Sequence, residues 1–136
     1  MRALKPAARE FDFTGAEPPP PPQEQKPDYV PEGWYDATII WVDERRGRAE
    51  PHHHYYAWEL MLEGVHPDFR LWAITSHSPK AIWRLKELIE ACGYEVRNGR
   101  MTFDPKSLIN ARLSVEVRIE SFREKLSNRV AGFRLL

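Results

Sequence analysis

Apolar and polar residues alternate along five segments of this chain, and one segment between them repeats at helical spacing. The clearest alternation runs from Leu113 to Ile119, where every second residue is apolar. A period of two is typical of a half-buried strand, because successive side chains point to opposite faces of a sheet. The pattern predicts strands at 34–43, 55–63, 69–75, 112–122 and 128–135.

The middle of the chain has the spacing of an amphipathic helix. Apolar residues recur every three or four positions over 82–92, and charged residues fill the other face. Ser78 is suited to the N-cap, and Pro79 to the first helical position, where its missing N–H costs nothing. Gly93 is suited to the C′ position that ends a helix. A second such pair, Asp104-Pro105, predicts a single helical turn.

The order of these elements predicts an OB-fold, a five-stranded barrel (β1-β2-β3-α-β4-β5) with one capping helix between strands three and four. We place this domain at residues 28–136. Residues 1–27 contain an unbroken proline run at 18–22. They predict a disordered, semi-rigid, proline-rich leader, because polyproline is extended and donates no backbone hydrogen bonds. A ligand for an SH3-type domain is the alternative for this run.

The alternation also assigns side chains to the two faces of the strands. Arg70 does not belong in a core, so Trp72 on the same face is expected to point outward, as is Tyr55 on the second strand. The residues expected in the core are Trp41, Tyr56, Trp58, Phe69, Leu71, Ala73 and Trp83. The stretch from Glu44 to about His53 interrupts the alternation and predicts the first loop. Gly132 predicts a bulge or bend in the last strand.

The charges are balanced overall but unevenly distributed. The formal net charge is zero, which argues against nucleic-acid binding if charge is considered globally. Residues 28–96 carry 7 Lys and Arg against 12 Asp and Glu, whereas residues 97–136 carry 9 against 4. Arginine outnumbers lysine 14 to 6, and guanidinium groups suit phosphates and stacked bases. A GC-rich genome or a warm habitat explains that excess equally well.

The single cysteine, Cys92, excludes an intramolecular disulfide and a cysteine-based zinc site. On the apolar side of the predicted helix, we expect it to be a buried small hydrophobe and not a nucleophile. No apolar run approaches the ~18 residues of a membrane span, and no signal-peptide core follows Met1. These features predict a cytoplasmic protein without a membrane partner.

Four stretches, in this order along the chain, resemble a domain of phage and prophage proteins. They are Val30–Ile39 (VPEGWYDATI), Tyr55–Leu60 (YYAWEL), Ser78–Lys86 (SPKAIWRLK) and Asn128–Phe133 (NRVAGF). The leader stretch Phe11–Gly15 (FDFTG) resembles the short aromatic and acidic start of many members. The family is single-stranded-DNA-binding-like and is often described only as of unknown function. The resemblance implies an OB-fold protein of viral or prophage DNA replication or recombination, in a bacterium or phage-infected host, and supplies no catalytic residues.

Single-stranded DNA is held by bases stacked on aromatic side chains within a basic groove. In an OB barrel that groove crosses strands two and three, between the one-two and four-five loops. The last hairpin is the strongest candidate, because its excess of positive charge coincides with an expected binding loop. A position beneath the leader or the helix is the alternative for Trp72. The candidate DNA-binding residues are Arg45, Arg46, Arg48, Tyr55, Arg70, Trp72, Arg118, Phe122, Arg123, Lys125 and Arg129.

Neither a metal site nor a catalytic site is expected. Three adjacent histidines, His52, His53 and His54, are potential zinc or copper ligands, but neighbours in one loop do not converge easily on one ion. Below a pH of ~6.5 they would instead add positive charge. Glu116 and Glu120 have same-face spacing, which the charged alternation of a solvated strand explains. We expect no cofactor, no metal and no enzymatic activity.

The sequence therefore favours sequence-independent, salt-sensitive binding of single-stranded DNA. The alternative is an OB-fold interaction module that docks a replication or recombination enzyme without binding nucleic acid. Zero net charge and the outward apolar residues Ile40, Met61 and Trp72 favour that alternative. The two hypotheses differ in whether Tyr55, Arg70 and Trp72 share an open groove with the arginine loops. A homo-oligomer is compatible with either.

Overall fold

The described part of the chain folds into five strands and one α-helix, with a short 3-10 helix before the fourth strand. In the computed structural model, the described residues are 8–18, 26–48, 53–97 and 99–136. The elements are β1 (Gly33–Arg46), β2 (His54–Leu62), β3 (Arg70–Ser76), α1 (Trp83–Ala91), the 3-10 helix (Pro105–Leu108), β4 (Arg112–Phe122) and β5 (Lys125–Arg134). The predicted order of elements is confirmed, and the fold is mainly β.

The five strands form one antiparallel sheet in the order β3-β2-β1-β4-β5. The central strand, β1, is flanked by β2 and β3 on one side and by β4 and β5 on the other. The sheet curls enough for Cα atoms of its edge strands, β3 and β5, to come within 8 Å of each other. No hydrogen-bonded ladder joins these edges in the described part of the chain. The helix α1 packs against both of them.

A bulge half-way along β1 reverses which of the two alternating sets of side chains points towards the core. The register between β1 and β2 shifts between Ile39 and Trp41, which leaves Ile40 as an extra residue. Ile39 is buried before the bulge and Val42 after it, whereas Trp41 is exposed. The expected core position of Trp41 is therefore wrong, because a shift of one residue turns every later side chain to the other face.

Two strands are longer than the sequence predicts. Arg45 and Arg46 belong to β1 and not to the first loop, because both residues pair with β2. Similarly, β5 begins at Lys125, so the predicted start near residue 128 is too late. Most of the proline run (residues 19–22) and His52 lie outside the described residues. Asn98, the first residue of the pair Asn98-Gly99 for which the sequence predicts a tight turn, lies outside them as well. No helix within the described ranges is both long and apolar enough to cross a membrane.

The start of α1 differs from the prediction. Residues 78–82 form turns, in which the backbone carbonyl of Ser78 accepts hydrogen bonds from the N–H groups of Ala81 (3.0 Å) and Ile82 (2.9 Å). The predicted side-chain cap is therefore wrong, since these N–H groups already have a backbone acceptor. Ile82 is the N-cap, and it makes no side-chain capping bond.

The end of α1 agrees with the prediction. Gly93 has a φ of +95°, a left-handed conformation that favours glycine. Its N–H donates to the carbonyl of Glu90 (2.9 Å), and the N–H of Tyr94 donates to the carbonyl of Ile89 (3.3 Å). This pair of bonds is the Schellman motif, which satisfies carbonyls that a helix end otherwise leaves without partners.

Two side chains of α1 form hydrogen bonds with backbone groups of β5, which lies at an edge of the sheet. Arg84 donates to the carbonyl of Ala131, and Glu87 Oε1 accepts the N–H of Phe133 at 3.2 Å. Such bonds protect a sheet edge from pairing with another chain.

The register between β4 and β5 also shifts near Gly132. Glu116 pairs with Gly132, but the next residue, Val117, pairs with Val130. This irregularity confirms the bulge or bend that the sequence predicts at Gly132.

The core lies between the curled sheet and α1. Its buried residues include Ala37, Ile39, Val42, Trp58, Leu60, Leu62, Phe69, Leu71, Ala73, Leu88, Ile89, Leu108, Leu113, Val115, Val117 and Phe133. Trp58 is fully buried, and its indole N–H donates to the buried hydroxyl of Thr75 at 2.9 Å. The expected core position of Trp83 is wrong, because this ring lies at the first turn of α1 and is 57% exposed.

Candidate functional site

The outward face of β1, β2 and β3 carries aromatic and basic side chains in register. Residues that pair across antiparallel strands share a face of the sheet. Arg45 pairs with Tyr55, and Glu59 pairs with both Trp41 and Trp72. Four of these five side chains are aromatic or cationic, as a surface for stacked bases and phosphates requires.

On β3 the predicted stacking residue is Trp72, and its ring is accessible to solvent. Its side chain is 42% exposed, so neither α1 nor the described part of the leader covers it. The guanidinium of Arg45 lies 5.6 Å from the centroid of its ring, within the range of a cation–π contact. Because Arg45 reaches Trp72 across the width of β2, the first hairpin and β3 form one continuous surface.

A groove of about 430 Å³ extends this surface towards the last hairpin. Arg70 and Trp72 form one wall, and Lys125 at the start of β5 forms the other. These side chains therefore meet although Lys125 is more than 50 positions further along the chain. The remaining lining residues are Lys26, Pro27, Asp28, Asp68, Phe69, Leu126 and Ser127. The end of the predicted leader thus borders the groove and leaves Trp72 accessible.

Two arginines of this surface have carboxylate neighbours. Arg70 Nε lies 3.6 Å from Glu59 Oε2, and Arg45 Nη2 lies 3.3 Å from Asp43 Oδ2. The indole N–H of Trp41, followed by the Arg45 guanidinium, holds the pKa of Asp43 below its usual value. Asp43 therefore stays charged at neutral pH, and the carboxylate beside each arginine competes with any anion for its guanidinium group.

The last hairpin turns on two residues in an unfavourable conformation. Arg123 and Glu124 have φ angles of +51° and +66°, where a residue with a Cβ costs roughly 1–2 kcal/mol. Two-residue hairpins of this kind prefer Asn and Gly. Retained strain of this sort is an indication of function. Here the turn holds Arg123 at the tip, with its guanidinium 5.2 Å from the ring centroid of Phe122.

The predicted residues Arg118 and Arg129 lie apart from the groove. They pair with each other across β4 and β5, and neither lines the groove. Arg118 Nη2 is 3.4 Å from Glu116 Oε2, and Arg129 Nε is 3.8 Å from Glu120 Oε2. Each glutamate therefore has its own arginine neighbour, and the four side chains form a charged lattice on the outer face of the hairpin.

Arg46 and Arg48 lie at the loop end of the first hairpin, where β1 leads into the connection to β2. Arg46 points to the opposite face from Arg45, because side chains alternate along a strand. Gly47 donates its N–H to the carbonyl of His53 at 2.9 Å, and this bond closes the described part of the hairpin. Of the three predicted arginines, only Arg45 is thus placed beside Trp72.

The histidines at this end form a polar cluster. His54 Nδ1 lies 3.0 Å from Glu44 Oε1, and the His54 and His77 rings stack at 6.2 Å between centroids. Burial lowers the pKa of His77 below its usual value, which keeps that ring neutral at pH 7. Within the described ranges, no group of three or more His, Cys, Asp or Glu side chains is placed to hold a metal ion.

Burial raises the pKa of Cys92 to about 11. A thiol with such a pKa is protonated at neutral pH, whereas the nucleophilic form of cysteine is the thiolate. The side chain packs against the core beside α1. Its surroundings therefore agree with the expected role as a small apolar residue.

Trp41 is a site residue that the sequence interpretation missed. Its indole N–H donates to Asp43 Oδ1 at 2.8 Å, and Lys106 Nζ lies 5.7 Å from the centroid of its ring. It pairs with Glu59 on the same outward face as Trp72. The only sequence signal was the adjacent apolar pair Ile39-Ile40, which breaks the alternation where the bulge lies.

No protein-family model matches this sequence, and no curated protein matches it. The resemblance to phage and prophage proteins therefore rests on short motifs and their order. The geometry of the groove is the remaining basis for a proposed function.

Proposed function

We propose that this protein is a non-catalytic OB-fold domain that binds single-stranded DNA without sequence preference, in phage or prophage DNA replication or recombination. The element order supports the barrel, as does the approach of β3 to β5 at the open side of the sheet. An OB barrel has this order, with a helix between strands three and four, and binds its ligands across strands two and three.

The observation that carries the proposal is the shared groove of Arg70, Trp72 and Lys125, with Arg45 beside the Trp72 ring. A base stacks on the exposed indole, and the flanking cations contact the phosphates on either side of it. Stacking accepts any base, since every base has a π-face. Phosphate contacts likewise carry no sequence information. This arrangement therefore selects single strands over duplexes and not one sequence over another.

The carboxylates beside the groove favour the second candidate, an interaction module for a replication or recombination enzyme. Glu59 and Asp43 reduce the positive charge that Arg70 and Arg45 present. A protein partner with mixed charges would suit such a surface. Binding measurements on DNA separate the two candidates.

The test of the proposal is fluorescence anisotropy with a labelled ~30-nucleotide single strand and its duplex, each titrated over a range of salt. We expect tighter binding of the single strand and an affinity that falls linearly on logarithmic axes as salt rises. Replacing Arg70 and Lys125 together with alanine should make the slope shallower by about 1.4, since each phosphate contact contributes about 0.7.

The matched control replaces two exposed cations that line neither this groove nor the surface of α1, Lys80 and Arg100, which removes the same charge away from the groove. Its slope should equal that of the unmodified protein. Equal losses in both double variants would reject the groove as the binding site. If the unmodified protein shows no binding at low salt, the interaction module becomes the better proposal.

Removing the carboxylate beside Arg70 should strengthen DNA binding. We expect Glu59→Gln to tighten single-strand affinity by about twofold to fivefold, the value of a surface ion pair. Arg70 Nε then has no carboxylate competing with phosphate, while Nη1 keeps its bonds to the carbonyls of Pro67 and Phe69. The same anisotropy assay measures this. Glu120→Gln removes an equal charge beside Arg129, outside the groove, and should change the affinity less. An affinity unaltered by Glu59→Gln contradicts a role of Arg70 in phosphate binding.

A further inference from the structure

A second groove lies on the α1 side of the molecule, away from Trp72. It has a volume of about 450 Å³ and runs between α1 and the described residues of the following segment, 96–97 and 99–103. Trp83, Ile82 and Met101 line it with exposed apolar surface. Pockets that bind ligands typically have volumes of about 300–1,000 Å³. We call this surface the α1 groove.

The charged residues of the α1 groove are basic. Lys86 and Arg97 are among its described lining residues, and no acidic side chain is. Exposed apolar surface bordered by charge often marks an interaction site. The groove therefore suits an apolar, aromatic segment that carries negative charge on either side.

The chain itself contains a segment with this chemistry. Residues 10–17 (EFDFTGAE) hold two phenylalanines and three acidic residues without a basic one. The rings of Phe11 and Phe13 are 67% and 75% exposed, with centroids 6.0 Å apart. They belong to the part of the predicted leader that the structure describes, and they lie open to solvent. We call residues 10–17 the FDF turn.

The FDF turn is held in shape by its own hydrogen bonds. Asp12 Oδ1 accepts the N–H of Thr14 at 2.8 Å, and the carbonyl of Phe13 accepts the N–H of Ala16 at 3.0 Å. Gly15 adopts a φ of +81° within this turn. A segment that is ordered before binding loses less conformational entropy on docking. Both rings are thus presented together, beside a carboxylate.

We propose that the α1 groove binds the FDF turn of a second copy of this chain. The two phenylalanine rings enter the apolar floor beside Trp83, and the flanking carboxylates lie near Lys86 and Arg97. In a single copy the rings face solvent and the groove stays open, so each copy offers both halves of the contact. In such a head-to-tail contact each copy keeps one free groove or one free turn, so further copies can add to form a ring or an open chain.

The first experiment uses a fluorescent peptide of residues 8–18 titrated with the full-length protein, in the absence of DNA. We expect saturable binding, and at least about tenfold weaker binding of the peptide with Phe11→Ala and Phe13→Ala. These changes are made in the peptide, so the fold of the protein is unaffected. Exchanging Lys86 and Arg97 for glutamate in the protein should weaken the peptide at least about tenfold as well. Absence of saturable binding overturns the proposal.

The second experiment measures the molar mass of the full chain by light scattering over a range of concentrations. The mass should rise with concentration for the unmodified protein and stay that of a monomer for the Phe11→Ala/Phe13→Ala chain. If both chains are monomeric, and the variant binds the peptide more tightly than the unmodified protein, then each FDF turn occupies its own groove. That result overturns the assignment to a second copy. Because DNA is absent, neither outcome depends on the proposed DNA binding.

Discussion

Replacing Trp72 with alanine is expected to weaken single-stranded DNA binding by about 5-fold to 150-fold. Stacking of one base on an aromatic ring contributes about 1–3 kcal/mol, and 1.4 kcal/mol corresponds to a factor of ten. The ring lies on the outward face of β3, beside Arg45 and in the same groove as Arg70 and Lys125. Its loss also removes the surface against which the Arg45 guanidinium lies. Anisotropy at fixed salt measures the change.

The chain offers a closely matched control for this experiment. Trp34 is 41% exposed, against 42% for Trp72, and the Arg134 guanidinium lies 4.0 Å from its ring centroid. It pairs with Glu116 on the other half of the sheet and does not line the groove. Trp34→Ala should therefore leave the affinity within about twofold, the scale of a surface substitution. Equal losses in both variants, or no loss with Trp72→Ala, would falsify the assignment of the stacking site.

Replacing Trp58 with alanine should lower the free energy of unfolding by about 3–5 kcal/mol. This ring is fully buried in the core, between the inward faces of the strands and α1. Its removal leaves a cavity and takes away the donor that bonds the Thr75 hydroxyl. A small domain has only about 5–15 kcal/mol of stability in total. Urea unfolding followed by circular dichroism gives the change from the shift in midpoint.

The separate contributions of volume and hydrogen bonding can be compared with Trp58→Phe. Phenylalanine keeps most of the ring volume but leaves the buried Thr75 hydroxyl without its donor. We expect a loss of roughly 1–3 kcal/mol, the cost of an unsatisfied buried polar group. Thr75→Val in the Trp58→Phe background should recover part of that loss, because it removes the orphaned hydroxyl. For the alanine variant of Trp58, a decrease in the free energy of unfolding of less than about 1 kcal/mol would contradict close packing at this position.

Those parts of the fold that depend on local patterns could be predicted from the sequence. β4 lies at the predicted residues because its inward side chains are apolar and its outward ones polar, from Leu113 to Ile119. The outward position of Trp72 followed from the charge of its neighbour Arg70. At Asp104 the predicted cap is confirmed, since its carboxylate accepts the N–H of Lys106 at 3.0 Å. In each case the side chain itself determines the conformation.

The remaining features depend on contacts between distant residues. The charged end of β1, with Arg45, continues as a strand because its backbone bonds to β2, a stabilisation that side-chain polarity does not reveal. Trp83 has helical spacing with the core residues of α1, so the sequence pattern places it in the core. It is exposed because the first turn of the helix extends beyond the part of the sheet that the helix covers. The meeting of Lys125 with Trp72 follows from the curl of the sheet. No local pattern specifies that curl.

The extra residue at Ile40 has a consequence for how such a surface could arise or be lost. The side chains of Trp41, Asp43 and Arg45 point outward because β1 takes up Ile40 as a bulge and keeps its pairing with β2 beyond it. If β1 kept Ile40 but lost the bulge, the indole and both charged groups would turn towards the core. Deleting Ile40 would instead join Ile39 to Trp41 in plain alternation and leave all three side chains outward. The outward surface of β1 therefore depends on how the strand accommodates its extra residue as well as on residue identity. Among related sequences, loss of this residue would therefore be compatible with the site, whereas an inserted residue that the strand does not take up as a bulge would turn the site inward.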